Sequence, residues 1–579
     1  MIEYIQIKRE RGNIMIFQDF KYERPDIEVL NQKLKEIKEK VENADSAQVQ
    51  IDAYLELDKL LQDFTTMTSL VYIRHSINTL DEFYSKENDF NDENSPIISS
   101  YINDLNQSFA KSKFRKELEE RFGKLVFDKI DMSLKTFKPE IIEDLQEENK
   151  LVSEYVKLSA SAKIMFQGEE RNLSQMAPFS QSIDREVRKE AVKLVGQFFY
   201  DNMDEFDRIY DSLVKVRDRI AKKLGFKNFV ELGYLRMGRL DYNSKDVANY
   251  RKQIVENIVP VYTELRKRQE KRIGVEKLKY YDEGITFLSG NPTPKGDRDW
   301  MVGHAKTMYK ELSPETDEFF NVMVNQELMD LDSKKGKQGG GYCTSLDSYK
   351  VPFIFANFNG TSHDVVVLTH EAGHAFQAYT TMRNVEISDD FWPTSESAEI
   401  HSMSMEFLTW PWMNLFFEGD TDKFKYNHLA DAFIFLPYGA LVDEFQHYVY
   451  ENPEVTAEDR RMKWLELEKK FLPTRDYDGM KEYEKGLFWF KQGHIFEMPF
   501  YYIDYTLAQI VALQFWKLSK ENRELAWDKY MKLCKLGGSK TFLGLLKEVD
   551  LDNPFVNGSL AKIVPPVKEF LATINDQEL

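Results

Sequence analysis

The chain is poor in cysteine, in histidine, in net positive charge and in long apolar runs. Only Cys343 and Cys534 occur in 579 residues. Two thiols cannot build a disulfide framework, so stability must come from a buried core, and the usage fits a reducing compartment. Lys and Arg number 78 against 97 Asp and Glu, a formal net charge of −19. That balance argues against nucleic acid and against an anionic membrane surface as partners. No apolar run reaches the roughly 18 residues that a membrane span needs. Residues 1–14 lack the apolar stretch and small-residue cleavage site of a secretory signal. They also lack a clear period, and we read them as a non-native or disordered extension before a start at Met15. No repeat of fixed period is present, which argues against a solenoid. The run Gly339-Gly-Gly341 has no Gly-Lys-Ser/Thr ending and opens no helix, so it is not a phosphate loop. The pattern carries no signal for oligomeric state.

What is present is mostly helical. The hydrophobic fraction of 42% suffices for a large core. The length allows three or four domains, or one large helical unit with lobes. Ile27, Leu30, Leu34, Ile37 and Val41 form one apolar stripe at helical spacing. The segments 47–84, 96–122 and 183–222 continue in that style. Asp89 to Ser95, acidic and Asn-rich, reads as a loop. Ala162 to Gly168 reads as half of a hairpin. Leu288 to Gly296 and Lys334 to Tyr342 read as loops, the second mobile. In Val351 to Phe358, Phe353, Phe355 and Asn357 alternate with Ile354, Ala356 and Phe358, as in a strand. Placed at a sheet edge, its backbone at Phe355, Ala356 and Asn357 would pair with an extended peptide and recognise main chain rather than side chains.

Histidine is scarce but concentrated: eight of the nine lie in the C-terminal half. His370-Glu371-Ala372-Gly373-His374 is the H-E-x-x-H pattern. Residues four apart share a helix face, so both imidazoles can hold one ion from the same side. Glu371 then projects toward the water such an ion would carry. A His pair on a helix is more often packing or surface. Three local details favour a metal. Val365 to Leu368 make the helix buried, and two buried histidines need partners. Thr361, Ser362 and Asp364 offer a cap at its start. Gly373 costs about 1 kcal/mol in a helix interior, which suggests that another element approaches closely there.

A third protein ligand is required. The next helical segment, Thr394 to Leu408, follows Pro393 and carries Glu396, Glu399 and Glu406 on one face, with His401 pointing elsewhere. Glu399 is assigned as ligand. Glu396 and Glu406 are candidates to hydrogen-bond the ligating imidazoles from outside.

The motif His370-Glu-Ala-Gly-His374 followed by Ala398-Glu-Ile400 resembles the thimet oligopeptidase/oligoendopeptidase F family of zinc peptidases, in its bacterial oligoendopeptidase F branch. Pro352 to Thr361, His494 to Tyr505, Tyr72 to Thr79 and Ser182 to Arg188 extend the resemblance over nearly the whole chain from Met15. The resemblance implies a mainly α, two-lobed zinc-peptidase fold with a small β-sheet beside the motif helix and a deep channel that excludes folded proteins. It implies one Zn²⁺ on His370, His374 and Glu399, Glu371 as general base, short peptides as substrates and cytoplasmic peptide turnover. The expected division is 15–200, an N-terminal helical lobe, and 201–579, the catalytic region.

The aromatic segment Leu487 to Tyr505 gains meaning from the same chemistry. Peptide hydrolysis builds charge on the carbonyl oxygen, and preorganised donors lower that barrier. The resemblance places a His and a Tyr pair in this role. His494 and Tyr505 match; Tyr502 is favoured over Tyr501 as the second donor, with Tyr501 left to substrate binding. Pro499 would break the helix between them. Two other classes remain: a carboxypeptidase or dipeptidyl carboxypeptidase on a related fold, and an inactive peptide-binding protein, against which the intact Glu371 argues.

Overall fold

The computed structural model describes residues 14–579. The proposed extension, residues 1–14, therefore lies outside the described residues except for Ile14. The fold is mainly α, with two small sheets. Among the described residues no helix is long and apolar enough to cross a membrane.

The N-terminal helices obey their stripes. Helix Ile27–Glu42 buries Leu30, Leu34, Ile37 and Val41, and Asp26 caps it by accepting from the backbone N–H groups of Glu28 and Val29. Its apolar face joins a separate core with Leu57, Leu105, Phe109 and Phe127. A main core runs from Phe17 and Leu70 through to Leu571.

The acidic stretch at 89–95 is no loop. It lies inside one continuous helix, Glu82–Ala110, which even carries Pro96 internally. Pro96 has no N–H to give to the carbonyl of Asp92. Asn149, on the neighbouring helix Ile142–Ala160, supplies that donor instead, at 3.1 Å. Gln146 does the same for the carbonyl of Glu93 at 2.8 Å. Tertiary hydrogen bonds thus override weak local propensity.

Strands β1 (Ile164–Phe166) and β2 (Glu169–Arg171) form the expected hairpin. Its turn residues Gln167 and Gly168 both have positive φ, 51° and 83°, as a tight two-residue hairpin turn requires.

The second sheet consists of β3 (Met329–Asp332), β4 (Tyr342–Leu346) and β5 (Val351–Phe358), in the order β3-β5-β4. β5 pairs parallel with β3 and antiparallel with β4. This corrects the expectation of an edge strand. β5 is central, its backbone is paired on both sides, and Phe355 and Ala356 are fully buried. A run apolar on both faces marks an interior strand. The edges are β3 and β4, and β4 is entered through the Gly run.

The loop before β4 is anchored. Lys337 donates to the carbonyl oxygens of Asp330, Asp332 and Ala356 and to the Asp330 carboxylate, and lies 4.4 Å from the Phe355 ring centroid. Gln338 N donates to Ser76 O at 2.9 Å and Thr79 N to Gly336 O at 2.7 Å, tying the loop to the end of helix Ala47–Ile77.

Candidate active site

Five helices build the site: α1 (His363–Asn384), α2 (Ser395–Leu408), α3 (Thr421–Glu451), a single turn α4 (Gly493–Glu497) and α5 (Tyr502–Glu521). α1 enters directly behind β5. Asp364 does not cap it. Its carboxylate instead accepts from the N–H groups of Asn359 and Gly360 and closes the loop between strand and helix. Burial pushes that carboxyl up to about 6 against the pull of those donors.

Helices α1 and α2 cross at Gly373. A Cβ there would lie 2.6 Å from both His401 O and Ser402 Cα. The glycine is required by this approach, which brings Glu399 beneath the two imidazoles. Glu399 Oε2 is 3.2 Å from His370 Nε2 and 3.3 Å from His374 Nε2. One ligand atom from each of the three residues lies within 4.8 Å of the others. Two imidazole nitrogens and one carboxylate oxygen form a donor set that suits zinc.

The surrounding hydrogen bonds aim these atoms. Glu406 Oε1 accepts from His370 Nδ1 at 2.7 Å, leaving the Nε2 lone pair to face Glu399. The other Glu406 oxygen meets His428 Nε2 at 2.6 Å, and Trp410 donates to His428 Nδ1 at 2.9 Å. Ser402 donates to Glu399 Oε2 at 2.9 Å and Tyr501 to Glu399 Oε1 at 2.7 Å. Burial disfavours the charged form of Glu399, but the His374 and His370 side chains hold its carboxyl well below the usual range. Sequence reasoning missed His428, Trp410 and Ser402. No spacing rule links His428 to the motif; it reaches Glu406 only because α3 packs across α2.

Glu396, one turn before Glu399, is not near the imidazoles. It is buried toward Arg239, and burial raises its carboxyl to about 7 against the Arg239 charge. His401 turns away as expected, with Nδ1 on Ser397 O at 2.8 Å.

Glu371 is buried and its Oε2 has no partner. Burial raises its carboxyl, and the flanking His370 and His374 oppose the rise. A Cβ on Gly341 would lie 3.2 Å from Glu371 Oε1. The Gly run therefore keeps side chains away from this carboxylate.

The aromatic segment closes over the same space. Pro499 ends α4, and the chain reverses at Phe500, a buried non-glycine residue with φ of 71°. Strain of this kind persists only where the surroundings enforce it. Gln446 accepts from Phe500 N at 2.9 Å, and Arg239 donates to Phe500 O at 2.6 Å.

His494 Nε2 is 3.0 Å from the Tyr505 hydroxyl. Behind it, Tyr438 donates to Gln492 Oε1 at 2.9 Å, which turns the Gln492 amide nitrogen toward His494 Nδ1 at 3.1 Å. Nδ1 then accepts, Nε2–H donates to the Tyr505 oxygen, and the Tyr505 proton is left for another acceptor. Burial lowers His494 to about 4, so it is neutral near pH 7. Gln492 and Tyr438 carried no signal in the sequence.

The preference for Tyr502 needs correction. Its ring lies 5.3 Å from His494 and 5.5 Å from Tyr505 as well as 5.6 Å from Phe435 and Tyr438, but it does not line the cavity. Tyr501 does. Tyr502 opens α5 with its side chain in the aromatic core, whereas Tyr501 precedes the helix and faces Glu399.

These groups surround a cavity of about 900 Å³. Its lining includes His370, His374, Glu371, Glu399, His494, Tyr501, Tyr505, Asn357 and the run Gln338 to Cys343. Of the three β5 residues proposed for substrate, only Asn357 reaches it. Its amide donates to Gln338 O and Gly340 O, both at 2.8 Å, and so shapes the Gly run.

The sequence profile of the Peptidase M3 N-terminal domain matches residues 17–137, and that of Peptidase family M3 matches residues 310–564. A solved structure of PZ peptidase A with inhibitor 2 is 54% identical, with a TM-score of 0.96 over 97% of this chain and 100% of that one. An oligoendopeptidase F homolog of Borreliella burgdorferi is 26% identical over 384 residues, which span 65% of this chain and 63% of that protein. An oligoendopeptidase-F from Enterococcus faecium, 14% identical, shares the fold with a TM-score of 0.63 over 95% of this chain and 98% of that one.

Proposed function

The chain belongs to peptidase family M3, and we propose that it is a zinc-dependent endopeptidase of short, unstructured peptides. The observation that carries this reading is the convergence of Glu371, the His370–His374–Glu399 set and the His494–Tyr505 pair on one cavity. A zinc ion on His370, His374 and Glu399 would supply Lewis-acid polarisation of the scissile carbonyl and acidify the attacking water. Glu371 would take a proton from the attacking water and deliver it to the leaving amine. Its buried, unpartnered oxygen suits a base that must exchange a proton rather than hold a fixed bond. Tyr505 donates to the oxyanion, oriented by His494, and Tyr501 replaces Tyr502 as the second donor by turning its hydroxyl from Glu399 Oε1 to the oxyanion.

Substrate main chain pairs with the Gly run and the start of β4, whose outer edge is unpaired in the sheet. An exopeptidase would need a cation free to take the substrate's carboxylate. Of the two cavity lysines, Lys337 is held by Asp330 and three carbonyls and Lys491 has no ion pair among the described residues, so the cleavage of blocked peptides decides between the endopeptidase and an exopeptidase. Residues 15–200 serve as N-terminal lobe and 201–579 as catalytic region, joined where the Gly-run loop meets helix Ala47–Ile77. Two free thiols, Cys343 and Cys534, support a cytoplasmic site of action.

The test is mass spectrometry of a mixed peptide pool, including peptides blocked at both ends, after digestion with and without a chelator. Internal cleavage of blocked peptides, abolished by chelation and restored by zinc, is expected. Cleavage confined to unblocked C-termini would overturn the endopeptidase reading.

A further inference from the structure

The cavity holds one acid that the proposed chemistry does not use. Glu497 closes the turn α4 that begins with Gly493 and His494, so its side chain lies one helical turn from His494, an axial rise of about 5 Å. Among the described residues it forms no hydrogen bond and no ion pair, yet it is half-buried in the cavity wall. A Cβ on Gly493 would collide with Glu497 Oε1 and would lie 3.7 Å from Tyr155 Cε1. The carboxylate and the Tyr155 ring edge therefore both border the space above Gly493, where the missing side chain leaves room.

Tyr155 is fixed in place. Its ring stacks on Phe496 at 4.0 Å and its hydroxyl donates to Phe490 O at 3.0 Å. Tyr72, from helix Ala47–Ile77, lines the same cavity, with its ring 4.9 Å from that of Tyr342. Both tyrosines feel the Glu497 charge, secondary to burial, as an upward push on their hydroxyls.

The charges nearby do not neutralise Glu497. Lys337 is saturated by Asp330 and carbonyls. Lys491 lies over the Phe488 ring at 3.9 Å and reaches toward Tyr280. Glu371 and Glu399 belong to the metal centre. A half-buried carboxylate in a wall it shares with two tyrosines, with no partner among the described residues, is a receptor for a cation: the carboxylate supplies charge and hydrogen-bond acceptance, and the rings supply an apolar wall.

We propose that Glu497, with Tyr72 and Tyr155, forms a specificity subsite for a cationic group of the peptide, a Lys or Arg side chain or a free amino terminus. This rests on the peptidase reading for its substrate. The site is one turn from His494, so the cation belongs to a residue close to the scissile bond.

The experiment uses paired peptides that carry Lys or Gln at each position in turn, each with a free and an acetylated amino terminus. The ratio of kcat/KM within each pair is measured for the wild type, Glu497→Gln, Glu497→Asp and Glu497→Lys. A charged hydrogen bond in this setting predicts a wild-type preference of roughly 10- to 100-fold for the cation at one position. Glu497→Gln should bring the ratio near one, Glu497→Asp should retain part of it, and Glu497→Lys should invert it. Sensitivity to acetylation alone assigns the subsite to the amino terminus; sensitivity to Lys alone assigns it to a side chain. A wild-type ratio near one at every position overturns the proposal, as does an unchanged ratio in Glu497→Gln. If Glu497→Gln does not fold, loss of the wild-type preference as salt is raised serves the same purpose. Binding of the same pairs to Glu371→Gln protein separates the two readings. Selective binding without any chelator-sensitive cleavage would sink the peptidase and keep the subsite.

Discussion

The helices of the N-terminal region and those of the metal centre are built on opposite principles. Helix Ile27–Glu42 buries one stripe and gives the rest of its surface to water. Helix α2 buries every residue from Glu396 to Leu408, among them three glutamates, a histidine and three serines. An amphipathic helix announces its core by period. A helix buried all round has no period to announce, and its polar residues depend on partners inside, with the Ser404 hydroxyl left without one among the described residues. Stability in the first case is apolar area; in the second it is inseparable from the polar network that positions Glu399 and Glu406.

The largest expected effect breaks this contrast on the catalytic side. Glu371→Gln keeps size and shape but replaces one carboxylate oxygen with an amide nitrogen and removes the base. We expect kcat to fall by about 10²–10⁴, while zinc per chain, measured by atomic emission after dialysis, stays at one. Loss of zinc in this variant would make Glu371 a ligand and would redraw the site.

A polar network away from the metal gives the next effect. Glu148 lies between Arg217, which donates at 2.6 Å, and Arg236, which donates at 2.9 Å. Burial alone would raise its carboxyl, but the Arg236 and Arg217 charges override burial and bring it down from 4.5 to about 2. A carboxyl depressed on folding contributes stability above its unfolded value and loses it as pH falls through the folded one. That contribution is roughly 3 kcal/mol, present above pH 4.5 and lost between there and pH 2. Glu148→Gln strands two guanidiniums and should cost about 3–5 kcal/mol at pH 7. It should also flatten the acid limb of a denaturation profile. An acid limb identical to wild type would show that other carboxyls govern acid unfolding.

Tyr501 and Tyr502 sharpen the comparison within two adjacent residues. Tyr501→Phe removes a donor to Glu399 Oε1 and should weaken zinc binding by about 10- to 100-fold in a chelator competition. Tyr502→Phe removes a hydroxyl inside the aromatic packing and should leave zinc affinity within about twofold. Equal effects would mean that the hydroxyl on Glu399 does not tune the metal.

How much was legible follows from the same contrast. The stripe of Ile27 to Val41 and the hairpin around Gln167-Gly168 could be read because local pattern and final environment agree. The H-E-x-x-H helix could be read because one chemical rule fixes a spacing of four. The position of β5 could not: a strand that is apolar on both faces has lost the alternation that tells edge from centre. The helix through Asp89 to Ser95 could not, because Asn149 and Gln146, far along the chain, supply the donors that hold it. Tyr501 and Tyr502 differ only in which side of a helix start they fall, and boundaries are what sequence pattern resolves least well. His428, Gln492 and Tyr438 act through residues that already act, and such support leaves no spacing of its own.

Two glycines offer the smallest and cleanest measurement, because they sit in helices of the two kinds. Gly373 lies where α1 crosses α2, and an added Cβ would meet backbone at 2.6 Å from His401 O and Ser402 Cα. Neither atom is the end of a flexible side chain, so the helices must part. Gly373→Ala should cost about 1–3 kcal/mol and lower zinc affinity, since separating α1 from α2 moves Glu399 from the imidazoles. Gly303 lies exposed inside helix Arg298–Leu312, where an added Cβ meets nothing within 4 Å. Gly303→Ala restricts the unfolded chain and improves helix propensity, and should stabilise by about 0.4–1 kcal/mol with zinc binding unchanged. Thermal melts of the two variants in parallel decide the matter. The same chemical change should move Tm in opposite directions, and if Gly373→Ala melts at or above the wild type, the crossing is looser than these distances require.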